Sequence, residues 1–352
     1  MIAAALLACA LSVPASQRFD FTERHMGVEV RVRLYAPDEA TARSAARAAF
    51  DRVRAWDEAL SDWHEDSDAM RLPRHAGDAA TVEGRLAQAL DASILAREAT
   101  GGAFEPSLGA LTRVWRQARR ERRAPDAGTL QAARDASGAG SFEWNPVTRR
   151  FTAMREGVRL DFGAIAQGIA ADDALQALRE GGCAQALVDV SGDIAVGAPP
   201  PDADGWRIQI EAEFDDQPTD TLLVHDCGVS TSGDRAQRTM VDGHAASHIL
   251  DPGTGIPLVA PRQATVVAAD ATTADVMATA LCVLPAETCR SIAAAHHLAA
   301  RLDRTPAEGG VQPLEGWHVI RRASSCPADA PWAPAAAHPS PASEASDPPC
   351  SR

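Results

Sequence analysis

The chain has 352 residues and a formal net charge of −14 at pH 7, and all 34 of its basic residues are arginine. The negative balance argues against nucleic acid as the main partner, because binding to a phosphate backbone requires concentrated positive charge. A hydrophobic content of 45% is sufficient for the core of one large domain or of two packed domains.

Residues 1–16 form an apolar segment that is too short to span a bilayer, and we interpret it as an export signal. Val13-Pro14-Ala15 offers a cleavage site before Ser16, whereas Leu6-Leu7-Ala8-Cys9 resembles a lipobox, which would leave a lipidated Cys9. Both interpretations predict an exported protein. It would be either free in the periplasm or anchored to the inner membrane and facing the periplasm.

Apolar periodicity predicts helices and strands in irregular alternation. In chain order the pattern predicts a strand at 19–34, helices at 38–60, 83–100, 107–122 and 129–136, strands at 142–154 and 157–162, a helix at 163–181, strands at 186–190, 206–211, 221–224, 240–241, 248–250 and 263–268, helices at 273–283 and 286–296, and strands near Ala299 and His318. Because this order has no repeated βαβ period, the predicted fold class is α+β.

The domain organisation follows from the same pattern. We expect one folded domain at 17–323 and a disordered tail at 324–352, where Pro, Ala and Ser dominate. Five arginines between Arg116 and Arg123 are interpreted as one solvent-exposed face of a short helix.

A glycine turn stands between a predicted strand and a predicted helix at Asp161-Phe162-Gly163-Ala164. Such a turn brings backbone N–H groups and a helix N-terminus to one place, which favours an anionic group such as a diphosphate. Many turns of this kind bind nothing, so the turn by itself is a weak signal.

Asp275 and Thr279 lie four residues apart and therefore on one face of a predicted helix. Carboxylate and hydroxyl oxygens suit Mg²⁺ as ligands. The alternative from the residues alone is a capping aspartate with a threonine that bonds back to its own helix. His248 precedes the turn 251–255, and its imidazole could accept a proton, orient a phosphate or serve only as a structural side chain.

These segments, in this order and spacing, resemble the ApbE family of FAD:protein FMN transferases. Four further segments contribute to the resemblance, which runs from about Phe21 to about Arg321: His25-Met26-Gly27, Leu60-Ser61-Asp62-Trp63, the stretch 100–109 and Ser230-Thr231-Ser232-Gly233-Asp234. The resemblance implies a mixed-sheet, T-fold-like architecture with FAD in a central cleft. It also implies Mg²⁺ held by the backbone carbonyl of Ala164 and the side chains of Asp275 and Thr279.

The resemblance further implies which residues contact FAD. These are Met26, Trp63, Ala103, Phe104, Glu105, Asp161, Gln167, Ser232, Gly233, His248 and Ile249. Many relatives have Tyr at the position of Trp63, and either ring can stack on a planar cofactor. The family usually has lysine where this chain has Gln167, which can donate a hydrogen bond but supplies no cation.

The implied activity is transfer of FMN from FAD to a serine or threonine hydroxyl of an acceptor protein, with release of AMP. Asp275 would act through the metal, and His248 would help to deprotonate the hydroxyl. The acceptor would be a redox subunit or a small FMN-binding domain that carries a flavinylation motif. Two alternatives remain open: an Mg²⁺-dependent FAD diphosphatase that uses water, and a non-catalytic exported flavin-binding protein.

Overall fold

An antiparallel sheet of eight strands organises the fold of the chain, of which the computed structural model describes residues 16–235, 238–314, 316–317 and 324–325. The strands within these residues are β1 (Gln17–His25), β2 (Val28–Ala36), β3 (Ala79–Thr81), β4 (Phe142–Asn145), β5 (Arg150–Ala153), β6 (Ala186–Val190), β7 (Asp193–Val196), β8 (Trp206–Ile210), β9 (Asp220–His225), β10 (Cys227–Gly233), β11 (Thr239–Val241), β12 (His244–Ala246), β13 (Leu250–Asp251), β14 (Ile256–Pro257), β15 (Gln263–Ala268), β16 (Ala299–Asp303), β17 (Val311–Pro313) and β18 (Ser324–Ser325).

The strand order of the main sheet is β1-β2-β6-β7-β10-β15-β16-β17, and each neighbouring pair is antiparallel. Smaller sheets have the orders β3-β5-β4, β18-β9-β8, β11-β12 and β13-β14. Parallel pairing occurs between β18 and β9, which belong to a smaller sheet, whereas the strands of the main sheet are all antiparallel. With helices packed on this sheet, the α+β prediction is confirmed.

Helices cover one face of the main sheet. The α-helices of the described residues are α1 (Glu39–Leu60), α2 (Gly84–Ala99), α3 (Gly109–Glu121), α4 (Ala127–Asp135), α5 (Ala166–Glu180), α6 (Ala271–Val283) and α7 (Ala286–Ala295). Asp38 caps the first helix, since its side chain accepts a hydrogen bond from Thr41 N at 2.8 Å. α1 packs on α5, α5 packs on α6, and α6 lies against β10 and β15.

The opposite face of the main sheet is covered by β8 and β9. Trp206 and Leu222 of these strands join Val229 and Val267 of the main sheet in a second apolar cluster, together with Trp317. All six residues of β15 are buried, because helices lie on one side of this strand and the β8–β9 layer lies on the other. This burial on both sides explains why the strand ends in three consecutive apolar residues, Val266, Val267 and Ala268.

Glycine permits the close approach of α5 and α6. A Cβ atom at Gly168 would lie 2.5 Å from the carbonyl oxygen of Ala271, which is far inside van der Waals contact. The first turn of α5 therefore touches the first turn of α6. This contact brings the Gly163 turn next to Asp275.

Several predicted boundaries were wrong, and β7 and β10 of the main sheet were not predicted. The strand predicted at 19–34 is the β1–β2 hairpin, whose turn at Met26 (φ 53°) and Gly27 (φ 73°) has the two left-handed residues of a type I′ turn. Residues 157–162 form no strand, because Arg159 O and Asp161 N bond to the loop that leads into α3, at Gly109 N and Pro106 O. The following helix begins at Ala166 instead of Gly163, after a turn.

The two ends of the chain were predicted from composition alone. Residues 1–15, which include the export segment and Cys9, lie outside the described residues, as does most of the tail. Within the predicted tail, Ser324 and Ser325 pair with Val224 and His225 of β9, and the disorder of the tail stays a prediction. No helix in the described part of the chain is long and apolar enough to cross a membrane.

Candidate active site

One cleft of about 1270 Å³ brings together every residue that the family resemblance implied. Its lining includes Met26, Trp63, Ala103, Phe104, Glu105, Asp161, Ala164, Gln167, Ser232, Gly233, His248, Ile249, Asp275 and Thr279. These residues come from the β1–β2 turn, the loop after α1, the loops before α3 and α5, the first turn of α5, the end of β10, the turn before β13 and helix α6. Their convergence is observed, whereas the role of each remains a prediction.

Asp275 lies in the first half of α6 and is 3% exposed. Gly168 N donates to its Oδ2 at 3.1 Å. The N-terminus of α6 is capped by other groups, since Asp270 accepts from Thr273 N and Asp172 accepts from Ala271 N. Asp275 therefore does not cap its own helix. It accepts an N–H from the first turn of α5, so the capping alternative holds for that neighbouring helix.

The hydroxyl of Thr279 is directed at β10. Its Oγ1 lies 2.9 Å from Ser232 Oγ, within hydrogen-bond distance. The threonine thus pairs across to the neighbouring strand, and the interpretation as a back-bonded helical threonine is not supported. Asp275 and Thr279 line the same wall of the cleft, as their spacing of four predicted.

Asp193 is a cleft residue that sequence reasoning missed. It begins β7, is 7% exposed, and accepts a hydrogen bond from Ser230 Oγ at 2.5 Å. Burial raises the pKa of Asp193 to about 7. The pKa of Asp275 is raised well above its usual value by burial and then by the charge of Asp193. A detectable signal was an aspartate that enters an otherwise apolar strand directly after the turn Ser191-Gly192.

His248 lies where the cleft meets Asp234 at the end of β10. Its Nδ1 is 3.9 Å from Asp234 Oδ1. Burial and, to a smaller extent, the charge of Arg119 lower the pKa of His248 to about 4, although the charge of Asp234 opposes the shift. The imidazole is therefore neutral at physiological pH and can accept a proton.

The arginines of α3 were predicted to form an exposed helix face, and this prediction was wrong for the residues nearest the cleft. Arg116 and Arg119 are half-buried and line the cleft, and Arg120 reaches it as well. Arg116 bonds to Asp62 Oδ2 at 2.7 Å, and its guanidinium lies 4.2 Å from the centre of the Trp63 ring. These arginines place positive charge where the sequence predicts an anionic cofactor.

Several other side chains hold the cleft backbone in place. Asp161 Oδ1 accepts from Gly163 N at 2.8 Å, which fixes the turn before α5. Glu105 Oε1 accepts from the backbone and hydroxyl of Ser107. Met26 N donates to Asp57 of α1 at 2.8 Å. No group of three or more His, Cys, Asp and Glu side chains with metal-binding geometry occurs among the residues described.

Comparisons with known proteins agree on one family. Residues 26–302 match the model of the ApbE family. The FAD:protein FMN transferase of Treponema pallidum is 31% identical over 288 residues, covering 76% of this chain and 79% of that protein. One from Klebsiella pneumoniae is 28% identical over 305 residues, covering 84% of this chain and 87% of that protein.

Solved structures agree with these sequence matches. The ApbE protein of Thermotoga maritima superposes with a TM-score of 0.78 at 25% identity, covering 87% of this chain and 100% of that one. The apo form of the Pseudomonas stutzeri flavinyl transferase ApbE has a TM-score of 0.75 at 27% identity, covering 88% and 98%.

Proposed function

Because the chain belongs to the ApbE family, whose model it matches over residues 26–302, we propose that it transfers FMN from FAD to a serine or threonine hydroxyl of an acceptor protein. The observation that carries this proposal is the convergence of Ala164, Asp275, Thr279 and His248 on one cleft. The cleft volume of about 1270 Å³ exceeds that of ordinary small-molecule pockets, as a dinucleotide requires.

The donors on one wall of the cleft fit Mg²⁺. The Gly168 N–H occupies one oxygen of Asp275, which leaves the other for a cation. Asp193 adds a second buried carboxylate nearby, and a divalent cation would replace the protons that burial favours on this pair. With the Thr279 hydroxyl and the Ala164 carbonyl, the set is all oxygen. Bound there, Mg²⁺ would supply charge neutralisation for a diphosphate.

Residues of the chain itself then accept the proton of the acceptor hydroxyl and orient the diphosphate of FAD. The acceptor oxygen forms a bond to the phosphorus on the FMN side of the diphosphate. The P–O bond to the AMP phosphate breaks, and AMP leaves with the bonding electron pair. The hydroxyl proton goes to Nε2 of His248, which burial keeps unprotonated before the reaction. The Asp161 turn and the α5 N-terminus orient the diphosphate.

Arginine side chains compensate for part of the charge that Gln167 does not provide. Arg119 and Arg116 line the same cleft and can offset the charge of the FAD diphosphate. Trp63 is 64% exposed and is held from one side by Arg116, so its ring is available to stack on a flavin or adenine.

The test is incubation of the purified protein with FAD, MgCl₂ and a protein that carries a flavinylation-type Ser/Thr motif. We expect yellow fluorescence covalently bound to the acceptor on a denaturing gel and an equal amount of AMP by chromatography. Substitution of the acceptor hydroxyl should abolish the label. AMP and free FMN without labelled acceptor would instead identify a diphosphatase, and retention of intact FAD would identify a flavin-binding protein.

The apolar composition of residues 1–16 supports the further proposal that transfer takes place outside the cytoplasm, on an exported or membrane-bound acceptor. Fractionation of cells that produce the full chain, with and without Cys9→Ala, would test this. We expect the protein in the periplasmic or the membrane fraction. A shift from membrane to soluble fraction in the variant would assign the lipoprotein form.

A further inference from the structure

Asp234 is a buried carboxylate without hydrogen bonds. It follows the last residue of β10 and is 1% exposed, and neither side-chain oxygen has a hydrogen-bond partner among the described residues. Removing a carboxylate from water without such partners costs several kcal/mol. A group kept in this state at the edge of a cleft is a candidate for a functional role.

The groups that face Asp234 come from four parts of the fold. His248 approaches from the turn before β13, Arg119 from α3, Glu213 from the loop after β8, and the thiol of Cys282 from α6. Of these groups, the imidazole of His248 is the one that could take part in proton transfer, and its Nδ1 lies 3.9 Å from Asp234 Oδ1.

Nδ1 of His248 is itself buried and lacks a hydrogen-bond partner in the described part of the chain. Two unpartnered buried atoms therefore face each other, and a carboxylate can only accept, so Nδ1 satisfies both by carrying the proton. At 3.9 Å the two atoms need only a small rotation of either side chain to form a hydrogen bond. Such bonds are often long in enzymes without substrate.

We propose that Asp234 is a positioning residue that holds His248 in the Nδ1–H tautomer and stabilises the imidazolium formed when Nε2 takes the proton of the acceptor hydroxyl. This inference rests on the proposed transfer of FMN. Burial and Arg119 both weaken His248 as a base, and Asp234 is the neighbour that strengthens it. The negative charge of Asp234 thus stabilises His248, the side chain that becomes positive when it takes the proton.

The first experiment reads the tautomer directly and does not depend on activity. Nitrogen-15 NMR of the histidine rings, assigned with His248→Ala, should show Nδ1 protonated and Nε2 unprotonated at pH 7.5 in the wild type. In Asp234→Asn the amide can donate to Nδ1, and we expect a shift toward the Nε2–H form. Glu213→Gln is the matched control, because it also changes a buried carboxylate beside Asp234 but does not face His248, and it should leave the tautomer unchanged.

The second experiment is a double-mutant cycle on AMP release with FAD, MgCl₂ and acceptor. Asp234→Asn should lower turnover by about 10²-fold or more in the wild-type background, the usual scale of general-base catalysis. In His248→Ala the same change should have less than about a twofold effect, since the imidazole that Asp234 serves is gone. Melting temperatures should show both variants folded, because Asp234→Asn breaks no hydrogen bond of the structure.

The outcomes separate the inference from the function on which it rests. An Nε2–H wild-type tautomer, or a tautomer that Asp234→Asn leaves unchanged, would overturn the inference, and so would equal losses of turnover in both backgrounds. A wild type that releases no AMP and labels no acceptor contradicts the proposed function. In that case the tautomer experiment still decides whether Asp234 positions His248.

Discussion

Asp275 is a buried carboxylate whose neighbours oppose its charge, since burial and Asp193 both raise its pKa. We predict that Asp275→Asn abolishes metal-dependent AMP release, with a loss of at least about 10²-fold. The protein should remain folded, because an amide oxygen can still accept the Gly168 N–H. Chromatographic assay of AMP and thermal unfolding with and without MgCl₂ would measure both effects.

Asp91→Asn is a suitable control for that experiment. Asp91 lies on α2, accepts from Trp144 Nε1 and Arg149, and does not line the cleft. It should leave the rise of melting temperature with MgCl₂ and FAD intact, whereas Asp275→Asn should remove it. Normal Mg²⁺-dependent turnover in Asp275→Asn would show that the metal site lies elsewhere.

Gln167 provides a neutral amide where the family resemblance predicts a cation. A charged contact in a partly desolvated site contributes about 1–3 kcal/mol. Gln167→Lys should therefore tighten FAD binding or raise turnover by about one to two orders of magnitude at most. Titration with FAD and AMP release would show the gain, and Gln167→Met controls for side-chain length. A wild type that binds FAD without releasing AMP, rescued by Gln167→Lys, would identify a lapsed enzyme.

Glu213 should make stability fall as pH rises. Burial, and next the charge of Asp234, raise the pKa of Glu213 to about 7. A carboxyl whose pKa is raised on folding stabilises the protein below its unfolded pKa near 4.5, and this contribution is lost as pH rises through 7. Glu213→Gln keeps an acceptor for Arg235 N and should raise the melting temperature at pH 8 but not at pH 4. An equal change at both pH values would exclude titration as the cause.

At the scale of secondary structure, the sequence predicted elements well where one local pattern decides them. The helix at 273–283 was predicted from its periodicity, and α6 occupies Ala271–Val283. Patterns failed where a distant segment decides the outcome. Residues 157–162 read as a strand, but their backbone groups bond to the loop before α3. The site shows the same contrast. The order of the motifs in the sequence predicted which residues line the cleft. Asp193 was missed because it belongs to the β6–β7 hairpin, and only the fold places that hairpin beside Asp275.

The α3 arginines illustrate the same limit. Leu111, Trp115 and Ala118 form the buried stripe of this helix, so the helix itself was predictable. The sequence does not say what lies beside that stripe. In the fold, the residues of α3 that flank its buried face lie along the cleft, and Arg116 and Arg119 are therefore part of the site.

The contact of α5 with α6 depends on Gly168. A Cβ atom there would meet backbone atoms of Ala271 and Thr272, which cannot move without shifting α6 and Asp275. We predict that Gly168→Ala lowers the free energy of unfolding by about 1–3 kcal/mol and reduces AMP release. Gly128→Ala in α4 is the control, because its Cβ would meet only the side chain of Asp126, and alanine should be neutral or stabilising there. Equal effects of both changes on denaturant unfolding would contradict this role.

At the scale of the whole molecule, the site is assembled from residues as far apart in sequence as Met26 and Thr279. No short segment contains it, and its walls belong to the same layers that form the core. Occupation of the cleft should therefore stabilise the entire domain and not one element, by an amount that grows with the logarithm of ligand concentration over the dissociation constant.

The C-terminal tail tests where that domain ends. Ser324–Ser325 add a short parallel strand to β9, at the edge of the layer that covers the main sheet. Truncation after Ser325 should leave melting temperature and FAD affinity unchanged, because residues 326–352 lack an apolar pattern that could pack. Truncation after Arg322 removes the strand as well and should cost about 1 kcal/mol, without any change in FAD affinity, since β18 does not line the cleft. The difference between the two truncations isolates the contribution of β18. A large loss of stability on truncation after Ser325 would mean that residues 326–352 dock on the domain. A loss of FAD affinity in that protein would place these residues at the cleft.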